Sequence, residues 1–170
     1  MLKGHDKGEV PSMVREAWKL ASILRRNRYA KGALDLDFPE VRAVMDKDGR
    51  VTDIITEEYD ESHQLIEECM LAANEAVALT LKNRNRPTIY RVHEEPDSAK
   101  LFEFGQLCKL YGHPVHDIGQ RQYLNELMKS IKGSPDEQLL KLALLKSLMR
   151  ARYDTEPLGH YGLATANYCH

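Results

Sequence analysis

Residues 61–82, ESHQLIEECMLAANEAVALTLK, decide how the rest of the chain is read. At about 100° of rotation per residue, Leu65, Ile66, Cys69, Met70, Ala72, Ala73, Ala76, Val77, Thr80 and Leu81 sweep a wide arc of a helix, while Gln64, Glu68, Glu75 and Lys82 share a narrow strip. The pattern predicts a long helix buried over most of its circumference, with that strip facing solvent. Glu67 and Asn74 fall together at the edge of the strip, two turns apart. A carboxylate and an amide placed there are either solvated or line a polar cleft. Glu67 and Glu68 point about 100° apart, so they do not form one carboxylate pair.

The chain has 170 residues, enough for one domain with a real core and too few for two comfortable ones. Its composition, 42% hydrophobic and 29% charged, is that of an ordinary soluble protein. A formal net charge of -2 supplies no global reason to expect nucleic acid, a membrane surface or an acidic substrate, so any such partner must be argued from local residues. No apolar run approaches the length of a membrane span, and the N-terminus has no signal-peptide pattern. Cys69, Cys108 and Cys169 have no CxxC spacing, and the first two sit in apolar helical patterns, which predicts reduced core thiols in a cytoplasmic protein.

Upstream of the long helix, residues 1–11 are polar at first, carry two glycines and lack periodicity, and are expected to be a flexible lead-in. Pro11 and Ser12 then start an amphipathic helix to about Arg28, with Met13, Ala17, Leu20, Ala21 and Leu24 on one stripe. Arg25, Arg26, Arg28 and Lys31 cluster at its end, where cations either complement the helix dipole or contact phosphate. Residues 32–40, GALDLDFPE, alternate apolar and acidic and read as a short strand stopped by Pro39, with Asp35 and Asp37 on one side of it. Asp48-Gly49 between the β-rich runs 41–46 and 51–57 is a strong hairpin signal.

Downstream, residues 87–93, PTIYRVH, alternate as a strand. The turn ending at Asp97 caps a helix with Leu101, Phe104, Cys108 and Tyr111 inward and Gly112 as its stop. A shorter helix, residues 120–132, carries Leu124, Leu127, Met128 and Ile131. Ser134-Pro135-Asp136-Glu137 restarts the chain with a capping box, and the following helix, to about Arg152, is too leucine-rich to stand exposed. From Tyr153 onward no regular period is visible. The expected architecture is α+β, a small antiparallel sheet packed by four to five helices.

Motif chemistry is sparse. There is no GxSxG, no Walker loop, no GxGxxG and no HExxH. His113 and His116, with His160, Cys169 and His170, offer potential ligands without matching a zinc spacing.

Five blocks nevertheless occur in a telling order. They are residues 62–74, SHQLIEECMLAAN; 31–40, KGALDLDFPE; 89–94, IYRVHE; 148–153, LMRARY; and 159–164, GHYGLA, with Tyr168 and His170 beyond. Together they resemble the RNB family of exoribonucleases from about residue 12 to the end. The resemblance implies processive hydrolysis of single-stranded RNA from its 3′ end, with Mg²⁺ activating water and clamping the scissile phosphate. In the family the metals are held by an aspartate cluster upstream of the first helix, and a downstream Thr-Ser-Pro-Ile-Arg-Arg segment stabilises charge on the phosphate. Neither is found here, so the 170 residues resemble the central part of an RNB catalytic domain, with no catalytic residue and no metal ligand of its own.

What the resemblance carries over is RNA contact. The position matching Glu67 lies in the RNA channel and discriminates ribose from deoxyribose, which a carboxylate does by accepting a hydrogen bond from a 2′-hydroxyl. The position matching Leu36 is an aromatic that stacks on terminal bases in the bacterial enzymes; leucine packs on a base face but cannot π-stack. Asn74, Arg91, His93 and His160 occupy family-typical positions that are either RNA-facing or scaffolding. The expected partner is the 3′ end of single-stranded RNA, with no membrane. Apolar surfaces left unburied would make the isolated chain self-associate. The alternative is a non-catalytic RNB-like RNA-binding or regulatory module, and a third reading is a small metalloprotein built on the histidines.

Overall fold

The computed structural model describes residues 8–36, 38, 40–57 and 59–170. Among them are five helices and two antiparallel pairs of strands: α1 (Glu9–Ala30), β1 (Glu40–Met45), β2 (Val51–Glu57), α2 (Glu61–Asn83), β3 (Tyr90–Val92), α3 (Ser98–Leu110), α4 (Arg121–Ile131), α5 (Glu137–Ser147) and β4 (Arg152–Asp154). The α+β class expected from sequence is therefore what forms. The chain divides into two compact units, residues 1–25 with 37–71, and residues 26–36 with 72–170.

In the first unit, β1 and β2 form the hairpin that Asp-Gly announced, Val41 opposite Thr56 and Ala43 opposite Ile54. The turn is held by Asp46, whose carboxylate accepts the N–H groups of Asp48 and Arg50 at 2.9 Å each, while Gly49 supplies the positive φ of +78°. The start of α1 differs from expectation. It begins at Glu9, so residues 9–11 are helical and not lead-in, while residues 1–7 lie outside the described residues. Met13 and Leu20 are exposed, and the inward stripe is Val14, Ala17, Trp18, Ala21 and Leu24, with Ala21 fully buried.

α2 is the largest correction. The expected apolar arc faces outward in part: Ile66 is 64% exposed, Met70, Val77 and Cys69 are also exposed, and Cys69 is no core thiol. The strip assigned to solvent is instead used by the protein. Glu68 is only 2% exposed and faces the Arg25 guanidinium at 3.7 Å. Within the second unit, Glu75 accepts from the Thr165 hydroxyl at 2.7 Å and Lys82 donates to Asn167 at 2.8 Å. A helix is amphipathic by sequence, but which face is covered depends on what chemistry it meets, and these charged residues meet charge and hydrogen-bonding partners.

The second unit holds the main core: Leu34, Leu101, Phe104, Cys108, Ile118, Leu124, Leu127, Met128, Ile131, Leu140, Leu144 and Tyr161. All four expected apolar residues of α4 are buried in it. The Asp97 cap of α3 forms, its carboxylate accepting from Ala99 and Lys100 N–H at 3.0 Å, but Tyr111 is exposed at the helix end and not inward. α5 ends at Ser147, five residues before the expected boundary, because the chain turns to pair β4 with β3. Its Leu140 and Leu144 are buried while Leu139, Leu142 and Leu145 are exposed. The expected capping box does not form: the Ser134 hydroxyl has no hydrogen-bond partner among the described residues, Asp136 caps without a side-chain bond, and the Glu137 carboxylate instead accepts from the Gly133 N–H at 2.7 Å and pairs with Lys141 at 2.7 Å. A second, smaller cluster joins Ala78 of α2 to Tyr90 and Val92 of β3, with Cys169 against it.

Residues 33–36 are not a strand. Their backbone is irregular, with Leu34 N–H donating to the Gly162 carbonyl at 3.0 Å, and the strand begins only at Glu40. Asp37 and Pro39 lie outside the described residues. The apolar alternation that suggested a strand is used instead to bury Ala33 and Leu34 in the helical core.

Candidate functional site

Two of the sequence candidates, Glu67 and Asn74, stand on α2, and the structure gives them opposite surroundings. Around Glu67, in the first unit, the helix start is built on Asp60. Its carboxylate accepts from Ser62 Oγ at 2.6 Å, from Ser62 N–H at 2.9 Å and from the His63 ring at 2.9 Å. Those hydrogen bonds, the Ser62 hydroxyl's first, hold the Asp60 carboxyl well below the usual carboxylate range. The Tyr59 ring stacks on His63 with centroids 5.8 Å apart, and its hydroxyl donates to the Glu67 carboxylate. Arg25 Nη1 lies 3.8 Å from the same carboxylate. Glu67 is thus oriented from two sides, with its side chain still 32% exposed.

In the second unit, Asn74, Arg91 and His160 converge on one buried residue, Tyr168. Asn74 Nδ2 donates to its hydroxyl at 3.1 Å, Arg91 N–H donates to its carbonyl at 2.8 Å, and the His160 ring meets its ring edge-on at 5.6 Å. The Asn74 carbonyl also accepts from the Cys169 thiol at 3.3 Å, and the Arg91 guanidinium lies over the Tyr153 ring at 4.8 Å. The Asn74 and His160 side chains thus hold the C-terminal segment, which Arg91 secures through its backbone N–H.

His93 and His160 pack as a pair with ring centroids 5.0 Å apart. His93 Nδ1 accepts the Gly162 N–H at 3.0 Å and His160 Nδ1 accepts the Leu163 N–H at 3.3 Å, so the ring proton of each is assigned to Nε2. That of His93 donates to the Met149 carbonyl at 2.8 Å. Burial, with the neighbouring His93 and Arg91 charges behind it, pushes His160 down to about 4. Burial also lowers His93, with Arg121 and Arg91 acting in the same sense. Both rings are neutral at pH 7 and serve as acceptors for a tight turn.

Leu36 is half-buried and packs against the main core. Asp35 beside it pairs with Lys132 at 2.9 Å and accepts from the Tyr29 hydroxyl at 3.5 Å. Sequence reading missed Tyr59, the carboxylate partners of Arg25, and Arg121. Arg121 lies over the Tyr161 ring at 3.9 Å and donates to the carbonyls of Tyr161 at 2.6 Å and Gly32 at 3.0 Å. Gly32 has φ +102°, and a Cβ there would sit 2.7 Å from Arg121 Cδ, so the glycine of the KGAL block is required by both backbone and space. Only that glycine was a usable signal; nothing in the local sequence marks Arg121.

Among the described residues no three of His, Cys, Asp and Glu gather closely enough to hold a metal ion. The magnesium implied by the family resemblance therefore has no fitting donor set in these residues, and no chemical step is derived through it. His116 instead packs its ring against Tyr123 at 5.8 Å. No helix among the described residues is long and apolar enough to cross a membrane.

The RNB domain model matches residues 1–170, and the chain belongs to that family. Ribonuclease R of Aquifex aeolicus is 34% identical over 154 residues, covering 89% of this chain and 22% of the relative. That of Thermotoga maritima is 34% identical over 165 residues, covering 93% of this chain and 23% of the relative. The fold superposes on Mycoplasma genitalium RNase R in complex with ribose methylated single-stranded RNA at a TM-score of 0.89 and 24% identity, covering 99% of this chain and 27% of that one. The chain thus spans less than a quarter of the length of these curated relatives.

Proposed function

We propose that these residues form part of the RNA channel of a processive, Mg²⁺-dependent 3′ to 5′ exoribonuclease acting on single-stranded RNA, with Glu67 reading the ribose 2′-hydroxyl. The observation that carries this is the Glu67 carboxylate itself, oriented by Tyr59 and Arg25 yet still accessible. A pre-aimed acceptor loses little side-chain entropy on meeting a hydroxyl donor. Further support comes from the family match over the whole chain and from the Mycoplasma genitalium relative, whose structures include complexes with RNA. Leu36 contributes an apolar face to a base without π-stacking. Asn74, Arg91 and His160 act on RNA indirectly, by fixing the segment that ends at Tyr168.

The acidic and arginine-bearing chemistry of the family lies outside these 170 residues, so the chain by itself is inactive. Its outward apolar residues on α2, Ile66 and Met70, give it a surface for self-association. In the longer RNB protein, Glu67→Ala lowers the preference for RNA over DNA by about tenfold, the value of one hydrogen bond of roughly 1.4 kcal/mol. Competition between matched RNA and DNA oligonucleotides measures it, and unchanged sugar selectivity removes the role. Incubating the purified 170-residue chain with single-stranded RNA and Mg²⁺ leaves the RNA intact; release of nucleotides would show that the chemistry is contained in this chain.

A further inference from the structure

We propose that the cavity beneath the Lys31–Asp35 loop of the second unit is a binding site for the phosphate group of a ribonucleotide. The cavity measures about 620 Å³, inside the range that encloses small ligands. Five cations line it, Lys31, Arg121, Lys129, Lys132 and Lys141, against only the carboxylates of Asp35 and Glu126. In a chain whose formal net charge is -2, that excess is local and marks an anion.

The five cations have different tasks. Arg121 is committed to the Gly32 and Tyr161 carbonyls, which makes it a fixed floor. Lys141 is paired with Glu137 at 2.7 Å. Lys132 is held by Asp35 at 2.9 Å. Among the described residues Lys31 and Lys129 form no ion pair, and these two are the ligand's grip. An incoming phosphate also competes with Asp35 for Lys132, because a dianion attracts an exposed ammonium more strongly than one carboxylate does. The Tyr29 ring and Met128, also on the wall, offer apolar surface to the body of the ligand. The choice of phosphate stands on charge and shape; the choice of a ribonucleotide rests on the proposed RNA-channel function. Glu67 is not part of the wall.

The test is calorimetric titration of the purified 170-residue chain with adenosine 5′-monophosphate, inorganic phosphate and a short single-stranded oligoribonucleotide. Expected is saturable binding that weakens with added salt. Lys31→Glu with Lys129→Glu weakens it at least about tenfold, and Lys31→Gln with Lys129→Gln does so more mildly if the charge reversal disturbs folding. Asp35→Asn tightens it by removing the carboxylate that competes with phosphate for Lys132. Saturation by the mononucleotide identifies a free nucleotide as the source of the phosphate, and saturation by the oligonucleotide alone identifies a strand. No binding by either, or binding indifferent to the lysine replacements, overturns the site. Equal affinity for inorganic phosphate overturns the nucleotide assignment. Loss of the Glu67 role in sugar selectivity would leave these titrations standing, so the two readings fail separately.

Discussion

Two stretches of one helix, seven residues apart, are put to different uses. At Glu67 the surroundings are charged and partly solvated, with a tyrosine hydroxyl and a guanidinium aiming one carboxylate. At Asn74 the side chain is part-buried, and its amide is bonded to a buried tyrosine that two other family-typical residues also secure. Position on a family pattern therefore does not tell whether a side chain is left open to a ligand or holds the fold. Accessibility and hydrogen-bond saturation do, because a side chain whose polar atoms are already bonded has nothing left to offer a ligand without losing those bonds.

The contrast can be broken most forcefully at Tyr168. Tyr168→Ala removes a buried aromatic and its hydrogen bonds, and should destabilise the chain by about 3 to 5 kcal/mol in denaturant unfolding. Tyr168→Phe keeps the ring and loses only the bond from Asn74, about 1 kcal/mol. Equal losses for the two would mean that the hydroxyl, and not the packing, holds the segment.

A smaller effect is expected from pH. His93 and His160 have folded-state pKa values below the ordinary 6.5, so their contribution to stability is complete above about pH 6.5. As pH falls toward about 4, the unfolded chain takes up protons that the folded chain resists, and stability drops through that window. Melting temperatures measured across it should fall, and His160→Gln should flatten the slope.

The smallest effect is at Tyr59→Phe, which removes the hydroxyl aimed at Glu67. Stability should change by less than about 1 kcal/mol because the site is partly exposed. RNA-over-DNA selectivity in the longer protein should nevertheless decline, by less than with Glu67→Ala. A selectivity equal to that of the unsubstituted protein would mean that Arg25 alone orients the carboxylate.

Local physics made several features legible from residues alone. Asp-Gly between β-rich runs specified the hairpin, Asp97 specified a cap, and the 3.6-residue pattern specified α4 with its four buried side chains. Each depends on contacts within a few positions along the chain. The five ordered blocks also marked the family, since they record many positions at once. The strand expected from residue 32 does not form at residues 33–36, because alternation shows that side chains divide between two environments without showing that a partner strand exists.

Only the tertiary structure decided which face of α2 is covered. Periodicity defines an apolar arc and a polar strip, but burying the strip becomes favourable when Arg25, Thr165 and Asn167 arrive opposite it, from positions as far as 90 residues away. The same holds for the cavity, whose cations come from the loop after α1, from α4, from the residue after it and from α5. A sequence fixes what each side chain can bond; the fold determines which of those bonds are already taken, and so which groups remain for a ligand.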